Sequence, residues 1–494
     1  MQPLLDSIRI AAPELVLALG AMALLMVGVF RGDRSLVPLT WLSVGLYALA
    51  GVALFTEASA AGAGAALPGI SVGLTAFDGL YIADDFSTYL KVVIYIGAGV
   101  AALLALPYLK RTHTARFEYP VLLMLATLGM SMMVSANDLL SLYLGLELQS
   151  LAAYVLAAFH RDEARSSEAG LKYFVLGALA SGILLYGVSL IYGFSGTTNF
   201  SVLAASLRGG AEIQIGMLFG LVFILAGLAF KVSAVPFHMW TPDVYEGAPT
   251  PVAAFFASAP KVAAMGLLVR VTMEAFGGVA GEWRQIIEFA AIASMILGAV
   301  GAIGQTNIKR LLAYSSINNI GFALVGLAAA NETGIAAVLF YMAVYAAMTL
   351  GSFLVVLQMR DVGGHPVEAI DALSGLSRHR PGLAFAMAIF MFSLAGIPPM
   401  LGFWPKLSVF NAAIEAGMYP LAIIAVVASV VGAFYYLRLV KVMYFDEPAA
   451  AFGPTESRLN SGLIGATAIF CSPVGMLAIT PLVTAATRAA QSIL

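Results

Sequence analysis

The sequence is poor in charged residues and in cysteine. Aspartate, glutamate, lysine and arginine make up 11% of its 494 residues, whereas soluble domains carry about a quarter. The single cysteine, Cys471, excludes a disulfide framework, cysteine-bound zinc and an iron–sulfur cluster. The five histidines fall at or beyond the ends of apolar runs, which argues against haem and against a metal site. The sequence also lacks a Walker A loop, and its net charge of −2 indicates no nucleic-acid partner.

Long apolar runs dominate what is present. The chain is 61% hydrophobic and has a mean hydropathy of +0.93, and a helix needs about 20 apolar residues to cross a membrane. We therefore predict an all-α integral membrane protein of about fourteen transmembrane helices, in which residues 1–494 form a single membrane domain. The predicted spans are residues 12–30, 38–55, 84–107, 119–136, 138–159, 169–193, 214–243, 251–274, 285–304, 311–329, 334–357, 381–416, 419–444 and 460–484.

Basic residues are concentrated in alternate loops. If the N-terminus lies outside, most of the loop lysines and arginines fall on the inside, as the positive-inside rule requires. The long loop of residues 56–83 contains no lysine or arginine, which suits the outer face. We therefore predict an even number of spans with both termini outside.

Four ionisable residues are predicted to lie well inside the membrane, namely Glu147, Lys231, Lys261 and Lys406. One charged side chain at the centre of a membrane helix costs about 3 kcal/mol, so such residues persist where they face protein or water and serve a function. Burial disfavours a charged form and a neighbouring opposite charge favours it, which suits groups that pass protons through bridging water. The alternatives are a carboxylate that only bonds a neighbouring helix and lysines that extend to the interface.

The seventh and twelfth predicted spans are longer than one crossing needs, and both contain proline. Pro236 closely follows Lys231, whereas Pro398 and Pro399 precede Lys406. Proline lacks a backbone donor and clashes with the preceding turn, so we predict that both helices are interrupted. Interrupted helices expose backbone groups at membrane depth, and transporters build ion sites from them.

Weaker candidates accompany these four charges. Lys172 and Glu168 have i,i+4 spacing, for which an ordinary ion pair on the helix surface is the simpler interpretation. Arg270 and Lys91 are predicted to lie at the membrane interfaces. The tenth span carries polar residues that would either order water or only bond neighbouring helices, and these are Tyr314, Ser315, Ser316, Asn318 and Asn319.

The segments that contain these residues resemble the antiporter-like membrane subunits of respiratory complex I, the proton-pumping NADH:quinone oxidoreductase. The resemblance covers essentially the whole chain. It is specific in residues 142–151 (LYLGLELQSL), 230–251 (FKVSAVPFHMWTPDVYEGAPTP), 259–261 (APK), 314–317 (YSSI) and 394–406 (LAGIPPMLGFWPK). It implies two inverted five-helix repeats, residues 119–275 with helices 4–8 and residues 285–445 with helices 9–13, in which helices 7 and 12 are broken.

The resemblance also implies roles for the buried charges. Glu147 and Lys231 are expected to form the coupled pair of a first half-channel, Lys261 to be the connecting lysine, and Lys406 to be the terminal lysine of a second half-channel. Related subunits often carry a histidine in the tenth helix where this chain has Asn319, which cannot titrate. A lateral relay would therefore need water at that point.

Further expectations follow from the same resemblance. The chain would be a non-redox subunit of a proton translocase, without a cofactor of its own, and FMN, iron–sulfur clusters and quinone would be bound in other subunits. Its partners would be the lipid bilayer, a neighbouring antiporter-like subunit M and the small subunits K and J, in the bacterial cytoplasmic membrane. An Mrp-type cation/proton antiporter subunit and a purely structural membrane subunit remain alternatives.

Overall fold

The computed structural model describes residues 2–61, 73–207, 213–453 and 457–494 and is almost entirely helical. Its α-helices are α1 Gln2–Ile10, α2 Ala12–Arg31, α3 Leu36–Ala61, α4 Asp85–Arg111, α5 Glu118–Val134, α6 Leu139–Ala157, α7 Ala164–Ser195, α8 Phe200–Ser206, α9 Ile215–Val232, α10 Trp240–Gly247, α11 Thr250–Phe256, α12 Ala259–Arg270, α13 Ala280–Ile303, α14 Ile308–Ala328, α15 Glu332–Val356, α16 Leu376–His379, α17 Pro381–Ala395, α18 Phe403–Glu415, α19 Tyr419–Phe445, α20 Arg458–Cys471 and α21 Ile479–Gln491.

Shorter elements join or extend these helices. A π-helical turn, Val271–Ala275, continues α12, and 3₁₀ turns lie at Gly32–Ser35, Gly277–Val279, Ile370–Leu373 and Pro473–Ala478. Two antiparallel strands, β1 Leu74–Ala76 and β2 Tyr81–Ala83, form a small hairpin before α4. The hairpin, α1 and α8 are additions to the sequence prediction. They are short and lack a long apolar run, so hydropathy could not indicate them.

The all-α membrane fold class is confirmed. Within the described residues, ten helices are long and apolar enough to cross a membrane, and an eleventh span results if the final helix pair, bent by 66° between Cys471 and Pro473, is counted as one. Glu118–Val134 and Pro381–Ala395 are shorter apolar helices. The chain is therefore a multi-pass membrane protein, and the count of fourteen spans stays a prediction, as do the repeat boundaries.

Both predicted helix interruptions are present. The seventh span divides into α9 and α10 around the peptide bond Val235–Pro236, and the twelfth divides into α17 and α18 around Pro398–Pro399, both bonds being cis. A further break separates α11 from α12 at Ser258. The eighth predicted span, residues 251–274, is still present as one candidate span, Thr250–Ala275. The break within it was not predicted, because Pro260 occupies the first turn of α12, where proline is tolerated.

Close glycine contacts and polar caps position the helices that carry the polar residues. A Cβ atom on Gly129 of α5 would lie 2.4 Å from the backbone nitrogen of Gln149 in α6, so the two backbones pack in direct contact. Asp138 caps α6 by accepting a hydrogen bond from the Leu140 nitrogen at 2.8 Å. Asn307 caps α14 in the same way, through the nitrogens of its second and third residues.

The side chains of Lys91 and Arg270 are buried in ion pairs that the sequence did not indicate, whereas their position at the membrane interfaces stays a prediction. Lys91 Nζ lies 2.7 Å from Glu14 Oε1 and donates to the Tyr81 hydroxyl at 2.7 Å. Arg270 donates to both carboxylate oxygens of Asp84 at 2.8 Å and to Glu274 at 2.6 Å. Glu14 and Asp84 are distant in sequence from the cations they compensate, so the local sequence does not indicate these two pairs.

Replacing Lys91 with methionine is expected to destabilise the protein by about 3–5 kcal/mol, because Glu14 would remain as an uncompensated buried charge. Lys91 is only 1% exposed, whereas Lys110 at the other end of α4 is exposed and supplies the control substitution Lys110→Met. Denaturation in detergent micelles measures both variants. Equal stability of the two would show that the Lys91–Glu14 pair does not hold α2 against α4.

Candidate functional site

Lys231 lies in the last turn of α9, immediately before the first helix break, and is buried. Its Nζ donates a hydrogen bond to Ser150 Oγ on α6 at 2.6 Å. Ser150 in turn donates to the Leu146 carbonyl at 2.5 Å. The rings of Tyr154 and Phe230 lie 5.7 and 5.8 Å from the ammonium, within the range of a cation–π interaction.

Glu147 lies one helical turn before Ser150 on α6 and is half-buried. Its Oε1 atom is buried and has no hydrogen-bond partner within the described part of the chain. Glu147 and Lys231 do not approach within the 4 Å of an ion pair, and Lys231 instead bonds Ser150, one turn after Glu147 on α6. Sequence reasoning missed Ser150, although its i,i+3 spacing from Glu147 was a usable signal.

Lys261, from the start of α12, reaches the C-terminus of α9. Its Nζ donates to the carbonyl of Val232, the last residue of that helix, at 2.9 Å and also to Ser233 Oγ. Ser233 has a left-handed backbone with φ of 64° and accepts a second hydrogen bond from Thr241 in α10 at 2.5 Å. The ammonium therefore sits at the negative end of the helix dipole, inside the helix break.

Trp240, the first residue of α10, closes the same break. Its indole nitrogen donates to the Phe230 carbonyl at 2.9 Å, and its ring lies 5.1 Å from Lys261 Nζ. Tyr173 of α7 stacks on this ring with the centroids 4.5 Å apart. The break around Pro236 is thus held by side-chain contacts that replace the missing backbone hydrogen bonds.

Lys406 occupies the second break in a comparable way. Its buried Nζ donates to the carbonyls of Leu394 and Ala395, at the end of α17, at 2.9 and 3.0 Å. The hydroxyl of Ser429 lies 3.4 Å away, and the ring of Phe322 is 4.6 Å from the ammonium. At both predicted breaks, therefore, a lysine ammonium satisfies carbonyl groups that the interruption frees.

The polar residues of α14 form a buried hydroxyl and amide cluster. Asn319 donates to the Tyr436 hydroxyl at 3.0 Å and accepts from Tyr341 at 2.8 Å. Ser315 bonds Tyr436 at 2.5 Å, and Ser316 accepts from Tyr345 at 2.8 Å. Sequence reasoning missed these three tyrosines, because they come from α15 and α19 and are close to α14 only in the folded chain.

Two members of the predicted polar group lie apart from that cluster. The ring of Tyr314 packs over Gly301 of α13, and Asn318 donates to the Met295 carbonyl at 2.7 Å. Both therefore bind α13 to α14. Gly298 permits this contact, because a Cβ atom there would lie 2.5 Å from the backbone nitrogen of Asn318.

Lys172 and Glu168 form a surface pair 2.7 Å apart with side chains 43% and 62% exposed. Lys172 also contacts Asp243 of α10 at 3.0 Å. In the described ranges, no three or more histidine, cysteine, aspartate or glutamate side chains are grouped to hold a metal ion.

Buried hydroxyls without a hydrogen-bond partner in the described part of the chain lie near the first helix break and on α15. They include Tyr154, Tyr245 and Thr349. The Tyr154 ring faces Lys231, whereas the Tyr245 ring lies 6.3 Å from that of Trp240. A buried polar group of this kind is commonly satisfied by an internal water molecule.

The chain is similar to known membrane proteins over nearly its full length. A family model described as NADH:quinone oxidoreductase/Mrp antiporter, TM matches residues 136–432. NADH-quinone oxidoreductase subunit N of Rhizorhabdus wittichii is 60% identical over 486 residues, which cover 98% of each chain. A chain of respiratory complex I from Thermus thermophilus, with 31% identity, aligns with a TM-score of 0.79 over 95% of this chain and 98% of its own.

A chain of the Mrp complex from Dietzia sp. DQ12-45-1b aligns with a TM-score of 0.83 over 99% of this chain and 100% of its own. Its identity is 24%, so this similarity concerns the fold alone. The chain is much more similar in sequence to subunit N than to this Mrp chain, so the Mrp-type alternative is not favoured. The chain therefore belongs to the NADH:quinone oxidoreductase/Mrp antiporter family, and within it to the subunit N class, the antiporter-like membrane subunits of NADH-quinone oxidoreductase.

Proposed function

We propose that this chain carries protons across the membrane through Glu147, Lys231, Lys261 and Lys406, with quinone reduction in other subunits supplying the energy. One observation carries the proposal. In the described part of the chain, the three lysines are buried at helix breaks, and none has a carboxylate within 4 Å. A buried ammonium without an ionic partner is electrostatically costly, so a small displacement of a neighbouring charge changes whether it holds its proton.

The contacts provide a route between these groups. Ser150, one turn from Glu147 on α6, bonds Lys231, and Ser233 with Thr241 extends the Lys261 site into α10. The α14 cluster of Ser315, Ser316 and Asn319 with its tyrosines falls within the predicted second repeat, as does Lys406. Internal water would bridge the intervals, held by the unpartnered hydroxyls near the lysines. Asn319 takes part by orienting water, since it cannot bind a proton itself.

The remaining features of the proposal concern the complex. The chain itself is a non-redox subunit without a cofactor, and FMN, iron–sulfur clusters and quinone are bound by other subunits. Its neighbours are a second antiporter-like subunit, M, and the small subunits K and J. It resides in the bacterial cytoplasmic membrane with both termini on the periplasmic side, as the distribution of basic residues favours.

The substitution Glu147→Gln tests the proposal, because it keeps the shape of the side chain and removes its ability to titrate. We expect the number of protons pumped per electron to fall at least about twofold, measured in proteoliposomes that contain the whole complex. Glu168→Gln, which removes an exposed carboxylate of α7, is the matched control. Wild-type pumping in the Glu147 variant would favour a purely structural subunit.

A further inference from the structure

An ion-pair network outside the proposed relay joins α10, the second half of the first broken helix, to the start of α14. Arg310 of α14 donates to Asp243 and Glu246 of α10 at 2.7 and 2.9 Å. The neighbouring Lys309 donates to the carbonyls of Glu246 and Ala248 at 2.7 and 2.8 Å. Two consecutive residues thus hold both the acidic side chains and the C-terminal carbonyls of α10.

The network continues into the segment that precedes α16. Glu368 accepts from Lys309 at 3.0 Å and from Asn307 at 2.9 Å, and Arg165 of α7 lies within 3.3 Å of both Glu368 and Glu246. Burial alone would raise the pKa of Glu368, but Lys309 and Asn307 hold that pKa below its usual range. Glu368 is therefore charged at neutral pH.

The N-terminal end of α10 contacts the Lys261 site. Thr241 bonds Ser233, which also binds Lys261, and Trp240 lies over the Lys261 ammonium. This helix has only eight residues, about 12 Å of length, so its contacts with the Lys261 site and its acidic residues lie within two turns of each other. A displacement at the first break would therefore reach Asp243 and Glu246, and through them α14.

α14 receives this displacement at its first turn. Ser315 and Ser316 lie one to two turns beyond Arg310, and Asn319 one turn further. These are the polar side chains of the buried cluster in the second repeat. Arg310 and Lys309 touch none of the residues proposed to carry protons, so any effect they have must pass through α10 and α14.

We infer that Arg310, by clamping Asp243 and Glu246, is a positioning residue that couples the first helix break to the polar cluster of α14. The inference rests on the proposed function and adds to it a mechanical link between the two repeats. A half-buried ion-pair cluster suits this mechanical coupling, because one guanidinium bonds two carboxylates and so resists separation in several directions. The guanidinium also stays charged at physiological pH.

The test replaces Arg310 with methionine in the intact complex and compares quinone reduction with proton pumping. We expect quinone reduction to continue while protons pumped per electron fall at least about twofold, the lower end of the effect of mutations along a coupling path. Arg310→Lys keeps a donor that reaches both carboxylates and is expected to restore the ratio. A role confined to folding would lower assembly and both activities together and leave the ratio unchanged.

Arg116→Met is the matched control, because Arg116 forms an exposed pair with Asp33 at 2.6 Å that does not touch α10 or α14. If Arg310→Met prevents assembly, Glu246→Gln removes one charge of the clamp with little change of shape, and the same fall in the ratio is expected. An unchanged ratio in the assembled variants would overturn the inference, and so would failure of both variants to assemble. Since neither result concerns Glu147, the proposed function would still stand on its own test.

Discussion

Replacing Lys231 with methionine is expected to lower proton pumping by the complex by roughly a hundredfold, the lower range of what a positioned proton-transfer group contributes. Methionine fills a similar volume and is apolar, so burial at the end of α9 is retained. The substitution removes the proton-binding group next to the first helix break and the donor to Ser150. The measurement is the number of protons pumped per electron in proteoliposomes. Native gels determine the amount of assembled complex.

Ser150→Ala separates the two contributions of that site. It leaves the amine of Lys231 in place and removes the hydroxyl that this amine bonds, one turn from Glu147 on α6. We expect pumping to be intermediate between that of the wild type and that of Lys231→Met. A water molecule in place of the missing hydroxyl would hold the Lys231 amine less firmly than Ser150 does. Wild-type coupling in the Lys231 variant would contradict the proton-carrying role and leave the chain as a structural subunit.

Features encoded by local sequence could be predicted. Long apolar runs indicated the membrane helices, since one span needs a fixed length of apolar chain. Pro236, Pro398 and Pro399 indicated the two helix breaks, because proline acts on its own helix. The burial of Lys231, Lys261 and Lys406 followed from their depth in these runs, and all three are buried in the folded chain.

Features that depend on a partner from elsewhere in the chain could not be predicted. Depth alone does not say that Lys261 donates to the end of α9, or that Lys231 bonds Ser150 rather than Glu147. The ion pair of Lys91 was not predicted, because its partner, Glu14, is 77 residues away in the sequence. The clamp around Arg310 was missed for the same reason, since its residues come from helices that a loop-by-loop analysis treats separately.

The similarity of the two breaks gives the lysines a second role besides proton transfer. Lys261 and Lys406 each donate to carbonyls at the C-terminus of an interrupted helix. An ammonium that loses its proton also loses charge there, and its attraction to the negative end of the helix dipole weakens. Protonation and the geometry of the break are therefore linked at each site, which is the kind of coupling that a pump requires.

Replacing Lys406 with arginine distinguishes these two roles. A guanidinium can still donate to the carbonyls of Leu394 and Ala395, but it does not give up its proton at any physiological pH. We expect Lys406→Arg to assemble and to pump at least about tenfold more slowly than the wild type, and Lys406→Met to lose both pumping and the cap on α17. Proton uptake by proteoliposomes measures pumping, and native gels measure assembly of the complex.

Lys441→Arg is the control for the chemical change alone, because Lys441 is exposed and pairs with Asp446 near the end of α19. It is expected to pump as the wild type does. If Lys406→Arg also pumped normally, a fixed positive charge at the second break would be sufficient, and release of a proton from this position would not be part of the pathway. The relay would then have to end at the α14 cluster, with Lys406 only holding the interrupted helix together.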